Sequence, residues 1–144
     1  MRVYLDNCCL NRPFDGQDQT RITMETEAKL DIQGQIIAGK LELAWSYILD
    51  YENHANPFEE RRAAIHEWRG RAVIDVVENA SVLAKAAQLV AAGLASKDAL
   101  HVACAEFAKC DVFLTTDDEL LKKASKITGI RVVNPTSFVI GGSK

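Results

Sequence analysis

The chain has 144 residues, 48% of them hydrophobic and 26% charged, enough apolar material for one core and too little polar excess for disorder. A formal charge of −3 and a pI near 5.6 exclude a protein that wraps nucleic acid through a broad basic surface, so any such contact must be local. No run approaches the roughly 18 uninterrupted apolar residues of a membrane span, and the start, MRVYLDNCCLN, meets an acid before any signal-type stretch develops. The expectation is one domain over residues 1–144, cytoplasmic and without membrane contact.

Val3–Leu5 is a short apolar run ending at Asp6-Asn7, which suits a buried strand followed by a loop or a helix start. After the turn residues 11–16 (NRPFDG), a helix is expected from Thr20 to Ala38. It carries Ile22, Leu30, Ile32, Ile36 and Ile37 as its apolar positions and is closed by Gly39. Leu41–Trp45 reads as an extended segment, and Ser46 is placed to cap a helix through Tyr47, Ile48, Tyr51 and Glu52, interrupted by Pro57. A charged helix follows from Phe58 to Arg69 and stops at Gly70, and the β-branched run Ala72–Val77 reads as a buried strand. Ser81–Ala92 and Ser96–Ala108 are alanine-rich helices separated at Gly93. Val112–Leu114 is a strand, Asp118–Ile127 a helix, and Ile130–Val133 the last strand before Pro135.

Strands that alternate with helices and are continuously apolar imply a parallel sheet covered on both faces. The expected fold is α/β, a three-layer α/β/α sandwich around a central parallel sheet of four to five strands. Cys8, Cys9, Cys104 and Cys110 lack paired CxxC spacing, and a domain with a good core needs no disulfide. Cys8 and Cys9 are read as small core residues.

In such a sheet ligands bind beyond the carboxyl ends of the strands. Asp6 follows the first strand directly, and Asp117 follows the strand Val112–Leu114 after Thr115-Thr116. Glu52 lies six residues past Ser46, and Asp98 lies in the first turn of the Ser96 helix. Carboxylates gathered at one edge would repel one another unless a cation neutralised them. Hard divalent ions suit such ligands, and a pair of them about 4 Å apart activates a water against a phosphodiester without any nucleophilic side chain. Each acid also has a plain structural explanation. Asp6 is placed to cap a helix, Glu52 to lie on a solvated helix face, Asp98 to favour a helix N-terminus, and Thr116-x-x-Glu119 matches a capping box. The four together, in their order and setting, carry the functional reading.

Four segments resemble the PIN-domain family, which includes the VapC-type toxins of toxin–antitoxin pairs. They are the strand closing on Asp6-Asn7, the stretch from Ser46 to Glu52, residues 97–105 (KDALHVACA) and residues 114–120 (LTTDDEL). The resemblance implies a metal-dependent endoribonuclease that uses Mg2+ or Mn2+ and cleaves RNA with a metal-activated water. It also implies an antitoxin protein as partner and a homodimer. By the same resemblance Asp6, Glu52, Asp98 and Asp117 are the catalytic and metal-holding acids. Asn7, Ser46, Thr115, Thr116 and Asp118 are candidates for their supporting shell, with Asp118 able to share or replace the role of Asp117. Asn7 stands where the family often has Ser or Thr. Asp50 competes weakly with Glu52, because two helix positions differ by about 200° of rotation.

His101 lies one turn beyond Asp98 but imidazole is not what a magnesium centre prefers, so it is assigned a buried hydrogen-bonding role. His54 and His66 are read as surface groups. Arg12 and Lys97 are the candidate RNA contacts. Arg61, Arg62, Arg69 and Arg71 are interleaved with Glu59, Glu60 and Glu67 and suit an ordinary solvated face. The competing reading is a PIN-like module that binds nucleic acid or protein without cleaving. A haloacid-dehalogenase-like phosphatase is disfavoured because Asp6-Asn7-Cys8 lacks a second Asp two residues on, and no phosphate-binding glycine loop is present.

Overall fold

A computed structural model describes residues 1–141. Five strands, β1 (Arg2–Leu5), β2 (Glu42–Ser46), β3 (Ala72–Val76), β4 (Val112–Leu114) and β5 (Arg131–Val133), form one sheet in the order β3-β2-β1-β4-β5. Every pairing is parallel. Consecutive strand residues point to opposite faces, and Val3, Tyr4 and Leu5 are all fully buried, as are Leu43, Ala44 and Trp45. Both faces of the sheet centre are therefore covered by helices, as its continuous apolar runs require.

The described helices are α1 (Asn7–Asn11), α2 (Thr20–Ile37), α3 (Tyr47–His54), α4 (Glu59–Trp68), α5 (Ala80–Ala91), α6 (Ser96–Phe107), α7 (Asp118–Lys122) and α8 (Pro135–Gly141). Among the described residues no helix is long and apolar enough to cross a membrane. The chain begins at the centre of the sheet, moves outward through β2 to β3, then returns to the other side of β1 for β4 and β5. The direction of winding reverses between β1 and β4, and a crevice opens there at the strands' carboxyl ends. Asp6 N–H donates to Leu114 O (2.9 Å), which continues the β1–β4 ladder to the lip of that crevice.

Three expectations are corrected, and one element is new. β3 is not a buried strand but an edge, with Val73 53% exposed and Val77, just past its end, 69% exposed. The helix expected over 118–127 breaks after Lys122, and a 3-10 turn (Ala124–Lys126) delivers Ile127 into the core. Past the last strand a helix that was not expected, α8, begins at Pro135, where a missing N–H costs nothing, while Asn134 Oδ1 accepts from Thr136 N–H (2.8 Å). On α2 the buried stripe runs through Glu25, Ala28, Lys29, Ile32, Gln33 and Ile36, whereas Leu30 and Ile37 face water.

Candidate metal centre

Asp6 is buried at the lip of the crevice because β1 ends in the core and the next residue must start α1. Its carboxylate is held on both oxygens. Oδ1 accepts the N–H of Asn7 (2.8 Å), which caps α1, and Oδ2 accepts the hydroxyl of Thr115 (2.8 Å). Thr115 Oγ1 in turn accepts the N–H of Asp117 (3.1 Å), so one hydroxyl ties the first acid to the backbone of the last. Asp117 caps α7 through the N–H of Glu119 (2.9 Å). The cap is Asp117 itself, not the expected Thr116. Capping and clustering are thus compatible uses of the same carboxylates.

Glu52 arrives from the opposite side. Ser46 accepts the N–H of Leu49 (3.3 Å) and starts α3 at the end of β2, and its second turn carries Glu52 toward β1. There Glu52 hydrogen-bonds Nε2 of His101 from α6, and the same Nε2 lies 3.8 Å from Asp6 Oδ1. Asp6, Glu52 and His101 each offer one ligand atom, and these atoms lie within 4.8 Å of one another. The other face of the imidazole is fixed by Tyr4, whose hydroxyl lies 2.6 Å from His101 Nδ1 and 2.6 Å from Ser46 Oγ.

The electrostatics report the convergence of the acids. Burial raises the Asp98 carboxyl, and the charges of Asp6, Asp117 and Glu52 raise it further against the opposing effect of His101, leaving it at about 6. Asp98 therefore feels all three other expected acids at once. Burial also pushes Glu52 upward, but the hydrogen bond and charge of His101 and the charge of Lys97 outweigh it, and the net shift is downward. For His101 burial opposes protonation, yet the Glu52 hydrogen bond and the charges of Asp6, Glu52 and Asp98 hold its pKa above the ordinary value.

This donor set fits a divalent cation. Carboxylate oxygens are hard ligands, the crevice carries more negative charge than its one imidazole balances, and the hydroxyl on Asp6 and the tyrosine on His101 are the outer contacts that orient metal ligands. Asp98 and Asp117 do not join the tight triangle, and His101 does.

The remaining expected residues divide clearly. Asp118 is exposed and binds both terminal nitrogens of Arg21 (2.8 Å each), so it points away from its neighbour Asp117. Thr116 is buried, and its carbonyl accepts from the same Arg21 (2.9 Å). Asn7 acts on Asp6 through its backbone, while its side chain accepts from Asn11 (3.3 Å). Asp50 accepts from the indole N–H of Trp45 (2.9 Å). Arg12 is engaged by Glu25 (2.8 Å) and Asp15 (2.9 Å), and Lys97 is exposed with its charge felt by Glu52. Of the arginine cluster, Arg61 packs over Phe14 and Phe58, and Arg69 pairs with Asp75 (2.9 Å).

Two participants go beyond the sequence reading, Tyr4 and Cys8, while His101 is buried and hydrogen-bonded as expected and also joins the ligand triangle. Cys8 is not simply a core residue, since its thiol donates to Asp6 Oδ2 (3.5 Å). A signal for His101 was present, because positions 98 and 101 share one helix face.

Comparison with known proteins agrees with this architecture. The PIN domain family model matches residues 3–126, which takes in the whole acidic cluster. No curated protein sequence matches the chain. Among solved structures, VapBC2 from Rickettsia felis bound to a DNA fragment from their promoter aligns with a TM-score of 0.61 at 12% identity. That alignment covers 93% of this chain and 98% of that one. VapBC-1 from nontypeable Haemophilus influenzae aligns with a TM-score of 0.56 at 16% identity, over 94% and 99% of the two chains. At these identities the likeness concerns the fold. With the family model spanning most of its length and the five-stranded parallel sheet placing its acids at the winding reversal, this chain belongs to the PIN-domain family.

Proposed function

We propose that this protein is a metal-dependent endoribonuclease, the toxin of a toxin–antitoxin pair, with Asp6, Glu52, Asp98 and Asp117 as its catalytic acids. The observation that carries the reading is the cluster at the winding reversal, where ligand atoms of Asp6, Glu52 and His101 lie within 4.8 Å of one another and the charges of Asp6, Asp117 and Glu52 all act on the Asp98 carboxyl. Charge crowded in this way at a winding reversal invites a cation. A bound Mg2+ or Mn2+ supplies water activation and neutralises phosphate charge. The nitrogen of His101 favours manganese over magnesium, which prefers oxygen alone.

The chain's own groups orient that chemistry. Thr115 holds Asp6 and the backbone of Asp117 in fixed relation, and Asn7 fixes the second oxygen of Asp6. Ser46 starts the helix that carries Glu52 and bonds Tyr4, which turns His101 toward the acids. Thr116 and Asp118, both gripped by Arg21, brace the turn that presents Asp117. Lys97 stands where it can hold an RNA phosphate, whereas Arg12, bound by two carboxylates, serves the fold instead. A protein antitoxin as partner is supported by the VapBC neighbours. A homodimer, a cytoplasmic location and a single domain complete the proposal.

The test is cleavage of a mixed RNA pool by purified protein. Internal cleavage with Mn2+ or Mg2+, lost in chelator and lost in Asp6→Asn, is expected. No cleavage by wild type with Mn2+ would overturn the nuclease reading in favour of a binding module.

A further inference from the structure

Lys29 and Gln33 stand one turn apart on the buried face of α2 and are only 3% and 6% exposed. Both line a cavity of about 130 Å3 between the α1 segment, α2 and α4, walled by Leu10, Phe14, Ile65 and Trp68. Gln33 is unsatisfied, and Lys29 has no counter-charge within the described residues. Lys29 makes no ion pair and no side-chain hydrogen bond among the described residues, and Gln33 Nε2 is buried without a partner. What the ammonium does meet is the face of Trp68, 5.9 Å from its ring centroid. The Gln33 amide leaves a hydrogen bond unmade, and the Lys29 ammonium, which still reaches solvent at the cavity mouth, has no counter-charge beside it. Glu25, one turn earlier on the same face, shows that this helix finds partners where none are left to a ligand: it accepts from Arg12, Arg21 and Asn134.

We propose that this cavity binds a small carboxylic acid with a compact apolar or aromatic body. One carboxylate oxygen pairs with Lys29 Nζ, the other accepts from Gln33 Nε2, and the body lies between Phe14 and Trp68. The chemistry selects this class. Sulfate or phosphate satisfies the two donors but leaves the apolar walls unfilled, and a neutral hydrocarbon fills the walls but leaves both donors bare. The size sets an upper limit near that of benzene, which a protein cavity of about 150 Å3 takes up, so a short branched acid such as isobutyrate suits it better than benzoate. None of the lining residues belongs to the acidic crevice, so the proposal stands apart from the nuclease reading.

The test is a titration of the full chain with acetate, isobutyrate and benzoate, beside benzyl alcohol and sulfate. It is followed by Trp68 fluorescence and by chemical-shift changes at α2 and α4. The expected result is a saturable response to isobutyrate or benzoate, with benzyl alcohol and sulfate weaker by about tenfold or more, the scale of one charged hydrogen bond. Lys29→Met should remove that preference while leaving metal-dependent RNA cleavage unchanged. Ala64→Leu, which fills the cavity with Lys29 in place, should abolish uptake and serves as the decisive variant if Lys29→Met folds poorly. No saturable response to any of the acids, equal binding of benzyl alcohol, equal binding of sulfate, or undiminished binding in Ala64→Leu would each overturn the proposal.

Discussion

Carboxylates meet two fates on the two sides of a single turn. Glu25, 2% exposed, accepts from Arg12 (2.8 Å), Arg21 (3.1 Å) and Asn134 (2.6 Å). Burial alone would raise its pKa, but these partners bring it below the ordinary value. In the Asp6–Glu52–Asp98–Asp117 crevice His101 and Lys97 bring Glu52 below its ordinary value, but Asp98 is pushed up to about 6. The sequence neighbours Asp117 and Asp118 fall on opposite sides of this divide, the second clasped by Arg21. Compensated carboxylates tie α2, α8 and the turn before α7 together. Asp98, whose crowding is not offset, is kept at a cost in stability, the usual sign of a site awaiting a ligand.

Charge removal should therefore act in opposite directions in the two regions. The largest effect is expected in the crevice, where Asp6→Asn or Asp117→Asn should slow RNA cleavage by about a thousandfold or more, the scale on which one preorganised electrostatic group acts. Their melting temperatures in chelator should not fall. In the compensated region Glu25→Gln should destabilise by about 2 kcal/mol, because Arg12 and Arg21 lose their shared buried counter-charge while keeping Asp15 and Asp118. Chemical denaturation measures this, and a neutral Glu25→Gln would erase the contrast.

Lys29 sharpens the comparison from the cationic side. Burial lowers its pKa from 10.5 to about 8, so the unfolded chain binds a proton that the folded chain lacks between those values. Stability should rise as pH climbs through that window and be lost as pH falls toward 8. Lys29→Met should abolish the rise and gain about 2 kcal/mol at neutral pH. Denaturation curves at a series of pH values decide it.

A smaller effect is expected from Asp98→Asn in chelator, a gain of about 1 kcal/mol, kept low because half of the side chain meets water. The folded carboxyl keeps its proton up to about 6 and the unfolded one only to 3.8. The stability it contributes is thus fully present below the lower value and lost as pH rises through the upper one. Melting in chelator at acid and neutral pH reads this out, and a large loss of stability in Asp98→Asn would favour a purely helix-stabilising role. Smallest of all, Lys97→Gln should raise KM for RNA about two- to threefold and flatten its salt dependence.

Much of the arrangement is local and so was legible in the chain. Val3–Leu5 and Val112–Leu114 are continuous apolar runs because both sheet faces are covered, and a strand that ends in the core hands its next polar residue to the edge. That is why Asp6 and Asp117 can be placed at strand ends without a structure, and why Ser46, followed by an amphipathic segment, announces the helix carrying Glu52. The four acids thus depended on short-range rules.

What only the tertiary structure decided depends on which ends become neighbours. Strand order brings β4 beside β1 and leaves β3 at an edge, so Thr115 can bind Asp6 across 109 positions while Val73 and Val77 meet water. Rotation of α6 sets His101 between Glu52 and Asp6 with Tyr4 behind it, a contact joining three elements that no single stretch encodes. On α2, Ile32 and Ile36 of the expected stripe are buried, but Glu25 with its three donors joins them while Leu30 and Ile37 face water, a division that periodicity alone did not decide. Residue type and period determine which segments form strands and helices. The partners available at each buried position determine which charges fold the protein and which are left for a ligand.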